Sequence, residues 1–429
     1  MNKNFFGGGH QEQHSNPITA LKMLLFLLAS IIIGTLIMVI VYLFPTSSIK
    51  DNISESMDVL IEEDHYPYLI EGYSSFRLDN FTDVIMLNTA MYDGTESAVY
   101  KAMLNPRYAY TDKSMIESLN MAMKGDPDFK ISKYPRYWHG YLVFLKPMLT
   151  FLNYKEIKIL NLYIQYILVL IDLLLIYEKK GKKYALALAI TVLVMNPIAI
   201  SLSMQFSSVY YITLTSILVL IKYDTWFMKN EERLPYLFMF SGIMIAFFDL
   251  LTYPITACGL LLITYLMVFE ENWKRQLVKV LSYTASWFLG YIGMWSGKWI
   301  MSWILTGYNT LENALAKVLI RTGSSVNNEK VTLLDSIYSN LKELINVPVF
   351  CLAFAVCFLI VWDIFYRKVR IEIKKIVVVI PTMIVSIYPF IWYGFIKNHS
   401  VIHGWYAYRG LAVFVCGLLC SMAKILEEE

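Results

Sequence analysis

The chain has 429 residues, of which 57% are hydrophobic and 17% are charged, and its mean hydropathy is +0.49. Soluble globular proteins average about 45–50% apolar and about 25% charged residues. This composition excludes an ordinary cytosolic enzyme, argues against disorder, and indicates that most of the chain lies in lipid. The net charge of +3 gives no indication of a nucleic-acid partner.

Ten apolar stretches predict transmembrane helices, because about 20 mostly apolar residues cross a bilayer. They are 20–44, 157–177, 183–203, 206–222, 235–251, 253–269, 276–300, 346–366, 375–396 and 408–425. We therefore expect an all-α polytopic membrane protein of about ten transmembrane helices, with a mixed extracytoplasmic cap in the first outer loop. The fifth and sixth stretches are short and meet at 249–254, so a single re-entrant hairpin is an alternative.

Lysine and arginine residues in the short loops predict the orientation. The loops after stretches two, four, six and eight are all basic. These alternate loops share one side, the cytoplasm, and both termini are predicted there. The expected organisation is a cytoplasmic tail (1–19), a first transmembrane helix (20–44), an extracytoplasmic loop with interfacial helices (45–156), a transmembrane bundle (157–300), a second extracytoplasmic loop (301–345) and C-terminal transmembrane helices (346–429).

The first outer loop has a mixed pattern. Helical stretches are predicted at 84–104 and 112–124, broken by Asn105-Pro106 and Gly125-Asp126-Pro127. The apolar stretch 141–152 is too short to cross a bilayer and predicts an interfacial helix. The second outer loop contains helical patterns around 310–320 and 331–345.

Two carboxylates precede the apolar run that begins at Val84. Asp79 is predicted as a helix N-cap, and Asp83 falls in the first turn, where the helix dipole favours a negative charge. One interpretation is that both simply start the helix. The other is that one of them acts in chemistry.

Two clusters of cations and aromatic rings lie in the outer segments. In the stretch 133–139, Arg136, Trp138 and His139 come together where the loop returns to the membrane. Anchoring in the aromatic belt with a lipid-phosphate contact explains part of this cluster. A belt does not require both the guanidinium and the imidazole, which favours a functional role.

The second cluster, at 397–409, has His399 and His403 four residues apart, followed by Arg409. Binding of an anionic, hydroxyl-rich ligand is the favoured interpretation, because guanidinium groups bind phosphate in a bidentate manner. A histidine pair without a role is the first alternative. A zinc site is the second, with a third ligand from His65, His139 or a carboxylate.

Asp249 and Lys298 lie within predicted spans, where charges are costly and are candidates for function. An ion pair between them that only supports packing is the alternative. The five cysteines all lie in apolar runs, which excludes a disulfide-stapled ectodomain. Cys416 and Cys420, four residues apart, are explained by helix packing better than by a metal.

This layout, with the stretches 134–141, 248–254 and 398–409, resembles the GT-C class of membrane glycosyltransferases and uncharacterised multispanning proteins of Gram-positive bacteria linked to surface-polysaccharide synthesis. The resemblance implies a protein of the bacterial cell membrane. It implies inverting transfer of a sugar from a polyprenyl-phosphate-linked donor to a glycan or lipid acceptor at the outer face. An acidic residue of the first outer loop acts in that class.

Such transfer requires a carboxylate for the acceptor proton, cations at the donor phosphate and aromatic rings for the sugar. We expect Asp83 to be the base rather than Asp79, because Asp79 is the better cap. The candidates for binding the donor phosphate and sugar are Arg136, His139, His399, His403, Arg409, Lys298 and Asp249, with Trp138, Trp405 and Tyr406 as sugar platforms.

No metal ligand is assigned, although a divalent metal is possible, and the lipid-linked sugar is a substrate and not a cofactor. The expected partners are the lipid bilayer, that donor and a glycan or lipid acceptor, without nucleic acid. A polysaccharide polymerase or ligase shares these features. A transporter or flippase of lipid-linked glycans is the other alternative, although such proteins often have related halves, and no half of this chain repeats the other.

Overall fold

The computed structural model describes residues 17–326, 329–346, 354–355, 358–359, 362 and 373–426. Most of the eighth predicted span, 346–366, lies outside these ranges, as do Cys351 and Cys357. The described part is mainly helical, which confirms the predicted all-α class at that level.

The helices up to residue 201 are α1 (Pro17–Val41), α2 (Ser47–Ser54), α3 (Met57–Glu63), α4 (Asn80–Met91), α5 (Ala98–Leu104), α6 (Met115–Met123), α7 (Leu142–Leu149), α8 (Tyr154–Lys180), α9 (Lys182–Val194) and α10 (Pro197–Ser201). Those from 204 to 345 are α11 (Met204–Lys222), α12 (Asp224–Lys229), α13 (Leu234–Phe248), α14 (Ile255–Val268), α15 (Trp273–Thr306), α16 (Thr310–Thr322) and α17 (Leu333–Ile345). Those after 372 are α18 (Ile373–Val378), α19 (Ile380–Ser386), α20 (Tyr388–Phe395), α21 (Lys397–Ile402), α22 (Gly404–Ala407) and α23 (Ala412–Ile425).

The strands form two small antiparallel pairs. Strand β1 (Arg107–Ala109) pairs with β2 (Lys130–Ser132), and β3 (Ser325–Val326) pairs with β4 (Glu329–Lys330). Both pairs lie in the segments predicted as outer loops, so the predicted mixed character of the first loop is confirmed.

Among the described residues, four helices are long and apolar enough to cross a membrane: Thr19–Val41, Tyr154–Lys180, Met204–Lys222 and Gly404–Ile425. Ile255–Val268 and Ile380–Phe395 are apolar but shorter. The prediction of membrane-crossing helices is thus confirmed in part. Leu25 of α1 and Leu170 of α8 are more than half exposed, on large apolar faces that are typical of a surface covered by lipid or by a partner.

Helices α13 and α14 form the centre of the bundle. Every residue of α14 is buried, and the two helices are joined by the turn 249–254, in which Leu251 has a φ of 70°. At 15 and 14 residues they are only about 22 Å long, less than the roughly 30 Å of a hydrocarbon core. The prediction that these two stretches are short and meet at 249–254 is confirmed.

Helix α15 crosses α13 at two glycines. A Cβ atom on Gly242 would lie 2.1 Å from the carbonyl oxygen of Trp287, and one on Gly290 would lie 2.2 Å from that of Met239. The backbones therefore approach as closely as small residues allow. Helix α15 has 34 residues, so it extends well beyond the predicted 276–300.

Residues 45–156 form a cap over one end of the bundle, which we call the cap end. The predicted helix 84–104 is interrupted at 92–97, giving α4 and α5, and Asn105 ends α5 in a left-handed conformation. The interfacial helix expected at 141–152 is α7, and the patterns at 310–320 and 331–345 correspond to α16 and α17. The opposite end carries ion pairs such as Lys180–Glu270.

Candidate functional site

Asp79 caps α4, as predicted. Its Oδ1 accepts a hydrogen bond from the Thr82 amide at 3.0 Å, and its Oδ2 accepts one from the Thr82 hydroxyl at 3.1 Å. The carboxylate is 3% exposed. Because a carboxylate has about four acceptor positions, these two bonds leave Asp79 able to accept further hydrogen bonds.

Asp83 is fully buried and bonded to three donors. It accepts hydrogen bonds from the Tyr154 hydroxyl at 2.8 Å and from the backbone amides of Met204 and Gln205 at 3.0 and 3.1 Å. These amides begin α11, whose own N-cap residue, Ser203, makes no side-chain cap bond. The expectation that Asp83 is the freer carboxylate is therefore wrong, because the first amides of α11 need a negatively charged acceptor.

The two carboxyl groups have different pKa values. Burial, with a smaller contribution from the neighbouring charge of Asp83, raises the pKa of Asp79 to about 7. Burial raises the pKa of Asp83 to about 6, against the lowering effect of its hydrogen bonds from Met204 and Tyr154. Asp79 is thus the group that exchanges a proton near neutral pH, where a general base is most effective.

A cluster of aromatic rings and cations surrounds Asp79. The Arg77 guanidinium lies 4.0 Å from the ring centroid of Trp405, whose indole packs edge-on against Tyr406 at 4.8 Å. On its other side, the Tyr406 ring lies 6.1 Å from the ring of His399, which is bonded to Arg321. Tyr406 therefore lies between the Arg77–Trp405 pair and the His399–Arg321 pair.

His399 positions Arg321. The guanidinium of Arg321 donates to Nδ1 of His399, and Nε2 of His399 donates to the carbonyl oxygen of Leu251 at 3.0 Å. Burial, reinforced by the charge of Arg321, lowers the pKa of His399 well below its usual range. The ring is therefore neutral, with Nδ1 as the acceptor and Nε2 as the donor.

His403 is also neutral at pH 7. Its ring lies 4.6 Å from that of His399 and stacks on Tyr406 at 5.1 Å, and burial lowers its pKa to about 4. The expectation that the two histidines act as cations at a phosphate is therefore corrected. They orient a guanidinium and a phenol.

Beside this cluster, α15, α16 and α20 enclose a cavity of about 560 Å³, which we call the aromatic groove. Its walls are mainly aromatic and aliphatic, and they include Phe288, Tyr291, Trp295, Trp299, Tyr388, Trp392 and Phe395. Along α15 the groove extends from Thr284 to Trp299, about 22 Å. No acidic side chain is among its described lining residues.

Three cations line the aromatic groove at the cap end: Arg136, Lys317 and Arg321. Arg136 donates to Asn313 at 2.8 Å and packs over the ring of Tyr134. The sequence interpretation included Arg136 but missed Lys317 and Arg321. The sequence feature that could have identified them is their spacing, because cations four residues apart lie on one face of a helix.

Arg409 is placed differently from the expectation. It is 1% exposed, its Nε donates to the carbonyl oxygen of Met195 at 2.9 Å, and its two terminal nitrogens donate to those of Tyr406 and Ser75. With these three bonds to backbone, its guanidinium is not available for the expected contact with a donor phosphate. Arg409 joins three segments of backbone, and the cationic end of the groove is formed without it.

Three other predicted site residues are buried in the protein. Trp138 is fully buried and donates to the carbonyl oxygen of Met294 at 2.7 Å, so it is not an accessible sugar platform. The Lys298 ammonium donates to Ala102 at 2.7 Å, and the carboxylate of Asp249 accepts from Thr252 at 2.6 and 2.9 Å. The alternative of an Asp249–Lys298 ion pair is therefore wrong.

His139 lies between two tyrosines. Its Nε2 donates to the carbonyl oxygen of Tyr134 at 2.9 Å, so its Nδ1 accepts from the Tyr141 hydroxyl at 2.7 Å. Burial, with the nearby charge of Lys298, lowers the pKa of His139 well below its usual range. The residue is neutral and does not bind phosphate as a cation.

The alternative of a zinc site is not supported in the part of the chain that the structure describes. No group of three metal-ligating side chains occurs there. His65 is bonded to Asp64, and both nitrogens of His139 are occupied by tyrosines.

Comparison of the chain with protein-family models, with curated proteins and with solved structures found no match.

Proposed function

We propose that the protein is a membrane glycosyltransferase that uses a polyprenyl-phosphate-linked sugar as donor. The observation that carries this proposal is the aromatic groove with Arg136, Lys317 and Arg321 at one end. A polyprenyl chain fits an apolar groove, and a phosphate requires cations where the apolar wall ends. The cluster of Arg77, Trp405 and Tyr406, which begins two residues before Asp79, adjoins this cationic end through His399.

The chemistry assigned to the site is a single displacement. The acceptor hydroxyl oxygen forms a bond to the anomeric carbon of the sugar while the bond from that carbon to the phosphate oxygen breaks. Asp79 takes the hydroxyl proton, and polyprenyl phosphate leaves with the electron pair. Arg321 and Lys317 stabilise the charge that develops on the leaving phosphate. Trp405 and Tyr406 are themselves only 7% and 4% exposed, so they support the site and are not assigned as sugar platforms.

The ten-span topology with both ends in the cytoplasm belongs to the same proposal. It places the cap outside and the cationic end of the aromatic groove at the outer leaflet. Basic residues at the opposite end, including Lys180 and Lys183, then face the cytoplasm. A lipid-linked sugar on the outer leaflet presents its phosphate at the depth of Arg321.

Binding of decaprenyl phosphate and of uncharged decaprenol to the purified protein in detergent tests this function. We expect the phosphate to bind more tightly than the alcohol. Arg321→Gln should weaken the binding of decaprenyl phosphate by about 2 kcal/mol, or roughly thirtyfold, and leave the binding of decaprenol unchanged. Arg275→Gln, which removes an exposed cation at the opposite end, is the matched control. Equal binding of both lipids, or equal effects of both variants, would contradict the proposal.

A further inference from the structure

A second cavity, of about 520 Å³, lies between α7, α8, α11 and α13. We call it the hydroxyl groove, because its lining combines apolar side chains with uncharged polar ones. The polar lining residues include Asn161, Ser207, Ser208, Tyr211, Thr215, Ser216 and Ser241. In contrast to the aromatic groove, no charged side chain is among the described residues that line it.

One polar atom in the hydroxyl groove has no hydrogen-bond partner within the described structure. The Ser241 side chain is 1% exposed, and its Oγ is unpaired. A buried hydroxyl without a partner is costly, so a ligand with a hydroxyl or ester oxygen would stabilise this wall. At the rim, Phe144 is 60% exposed and stacks on Phe248, so the groove opens to the side of the bundle.

Two short segments of the chain, 134–141 and 248–251, contribute residues to both grooves. In the segment 134–141, Tyr141 lines the hydroxyl groove and Arg136 lines the aromatic groove. His139 connects the Tyr141 hydroxyl to the Tyr134 carbonyl. In the second, Phe248 at the end of α13 lines one groove and Leu251 in the following turn lines the other. The cap ends of the two grooves are thus only a few residues apart.

Asp79 lies between the two cap ends. Its amide donates to the hydroxyl of Ser203 at 3.1 Å, and the next residue, Met204, lines the hydroxyl groove. Arg77, two residues before Asp79, packs on Trp405, and Trp405 packs on Tyr406. The Tyr406 ring lies 6.1 Å from that of His399, the hydrogen-bond partner of Arg321, which lines the aromatic groove. A hydroxyl presented from the hydroxyl groove and a sugar phosphate held by Arg321 would meet at this carboxylate.

From this arrangement we infer that the hydroxyl groove holds the acceptor, and that the acceptor is a membrane lipid with an uncharged, hydroxyl-bearing headgroup, of the diacylglycerol type. The inference rests on the proposed transferase function. A phosphate buried against uncharged side chains would be costly, whereas hydroxyl and ester groups pair with serine and threonine. Because Tyr141 donates its own proton to His139, its oxygen is an acceptor for the lipid hydroxyl.

The experiment uses the full chain in detergent with three photoactivatable probes: a diacylglycerol, a phosphatidylglycerol and decaprenyl phosphate. Two matched variants each place an indole in one groove. Ser208→Trp fills the hydroxyl groove and Ser296→Trp fills the aromatic groove, at half-buried serines in both cases. Circular dichroism and thermal unfolding establish that both variants are folded.

We expect Ser208→Trp to reduce labelling by diacylglycerol about tenfold, with unchanged labelling by decaprenyl phosphate, and Ser296→Trp to show the reverse. Labelling by phosphatidylglycerol equal to that by diacylglycerol, or diacylglycerol labelling unaffected by Ser208→Trp, would overturn the inference. If Ser296→Trp left labelling by decaprenyl phosphate unchanged while the diacylglycerol results were as expected, the proposed donor would be refuted and the inferred acceptor would stand. The two failures are therefore distinguishable.

Discussion

Asp79 and Asp83 are one helical turn apart but have different environments. The Asp83 carboxylate is bonded to the first amides of α11 and to Tyr154, whereas the Asp79 carboxylate accepts its hydrogen bonds from Thr82, within its own helix start. Local sequence indicates two acidic residues at a helix start. The amides that occupy Asp83 come from more than 120 residues away, which no local pattern reveals.

The assignment of Asp79 as base gives the first prediction. Asp79→Asn should retain the α4 cap, because asparagine also caps helices, while transfer falls by about 10²–10⁴. Asp83→Asn should mainly lower the thermal stability, since it removes the charge at the start of α11. Transfer assays measure the rate of each variant, and thermal unfolding measures its stability. A larger transfer defect in a stably folded Asp83→Asn would reverse the assignment.

The pKa of Asp79 predicts how stability depends on pH. The folded-state pKa of about 7 lies above the ordinary value of 3.8, so the folded state binds this proton more tightly than the unfolded state. This tighter proton binding contributes to the free energy of unfolding at acid pH, and the contribution is lost as the pH rises through 7. Asp79→Asn does not titrate, so its melting temperature relative to wild type should increase between pH 4 and 8.

The matched control for this pH series is Asp51→Asn, at an exposed aspartate of the same cap. Its melting temperature relative to wild type should stay constant with pH. A constant difference for Asp79→Asn as well would show that Asp79 is not buried in the folded protein.

At the scale of elements, the crossing of α13 and α15 depends on Gly242 and Gly290. Gly242→Ala places a Cβ atom against a backbone carbonyl, which cannot rotate away, and should destabilise the protein by about 1–3 kcal/mol. Gly293→Ala on α15 meets only a methyl group of Leu27 and should be milder. Thermal unfolding in detergent compares the two. Equal melting temperatures would contradict the close crossing.

Helix boundaries followed from local signals where those signals were strong. The N-cap at Asp79, the turn at Gly125 and helices α16 and α17 were all predicted, because capping and hydrophobic periodicity depend on residues within about one turn. The interruption of the stretch 84–104 was missed. The signal was nevertheless local, because Asp93-Gly94 in the segment 92–97 is a turn dipeptide that interrupts the apolar pattern.

For the whole molecule, orientation in the membrane is the remaining prediction. A reporter that is active only outside the cytoplasm should be silent when fused at Glu429 and active when inserted at Gly125, an exposed turn of the cap. The opposite result at either position would contradict the proposed topology and the outer-face site. An insertion in the basic loop at Gly181 serves as a second cytoplasmic control.

The sequence by itself determined that this is a largely helical, apolar protein, which segments form the cap, and which stretches collect cations and aromatic rings. These properties depend on composition and on neighbours within a few residues. Only the tertiary structure decided which polar side chains face a groove. Arg321 meets His399 across 78 residues, and Arg409 meets Met195 across 214, so similar arginines line a groove in one case and bond to buried backbone in the other. The reason is physical: helix packing chooses the contacts of a side chain, and local patterns do not record which helix will be its neighbour.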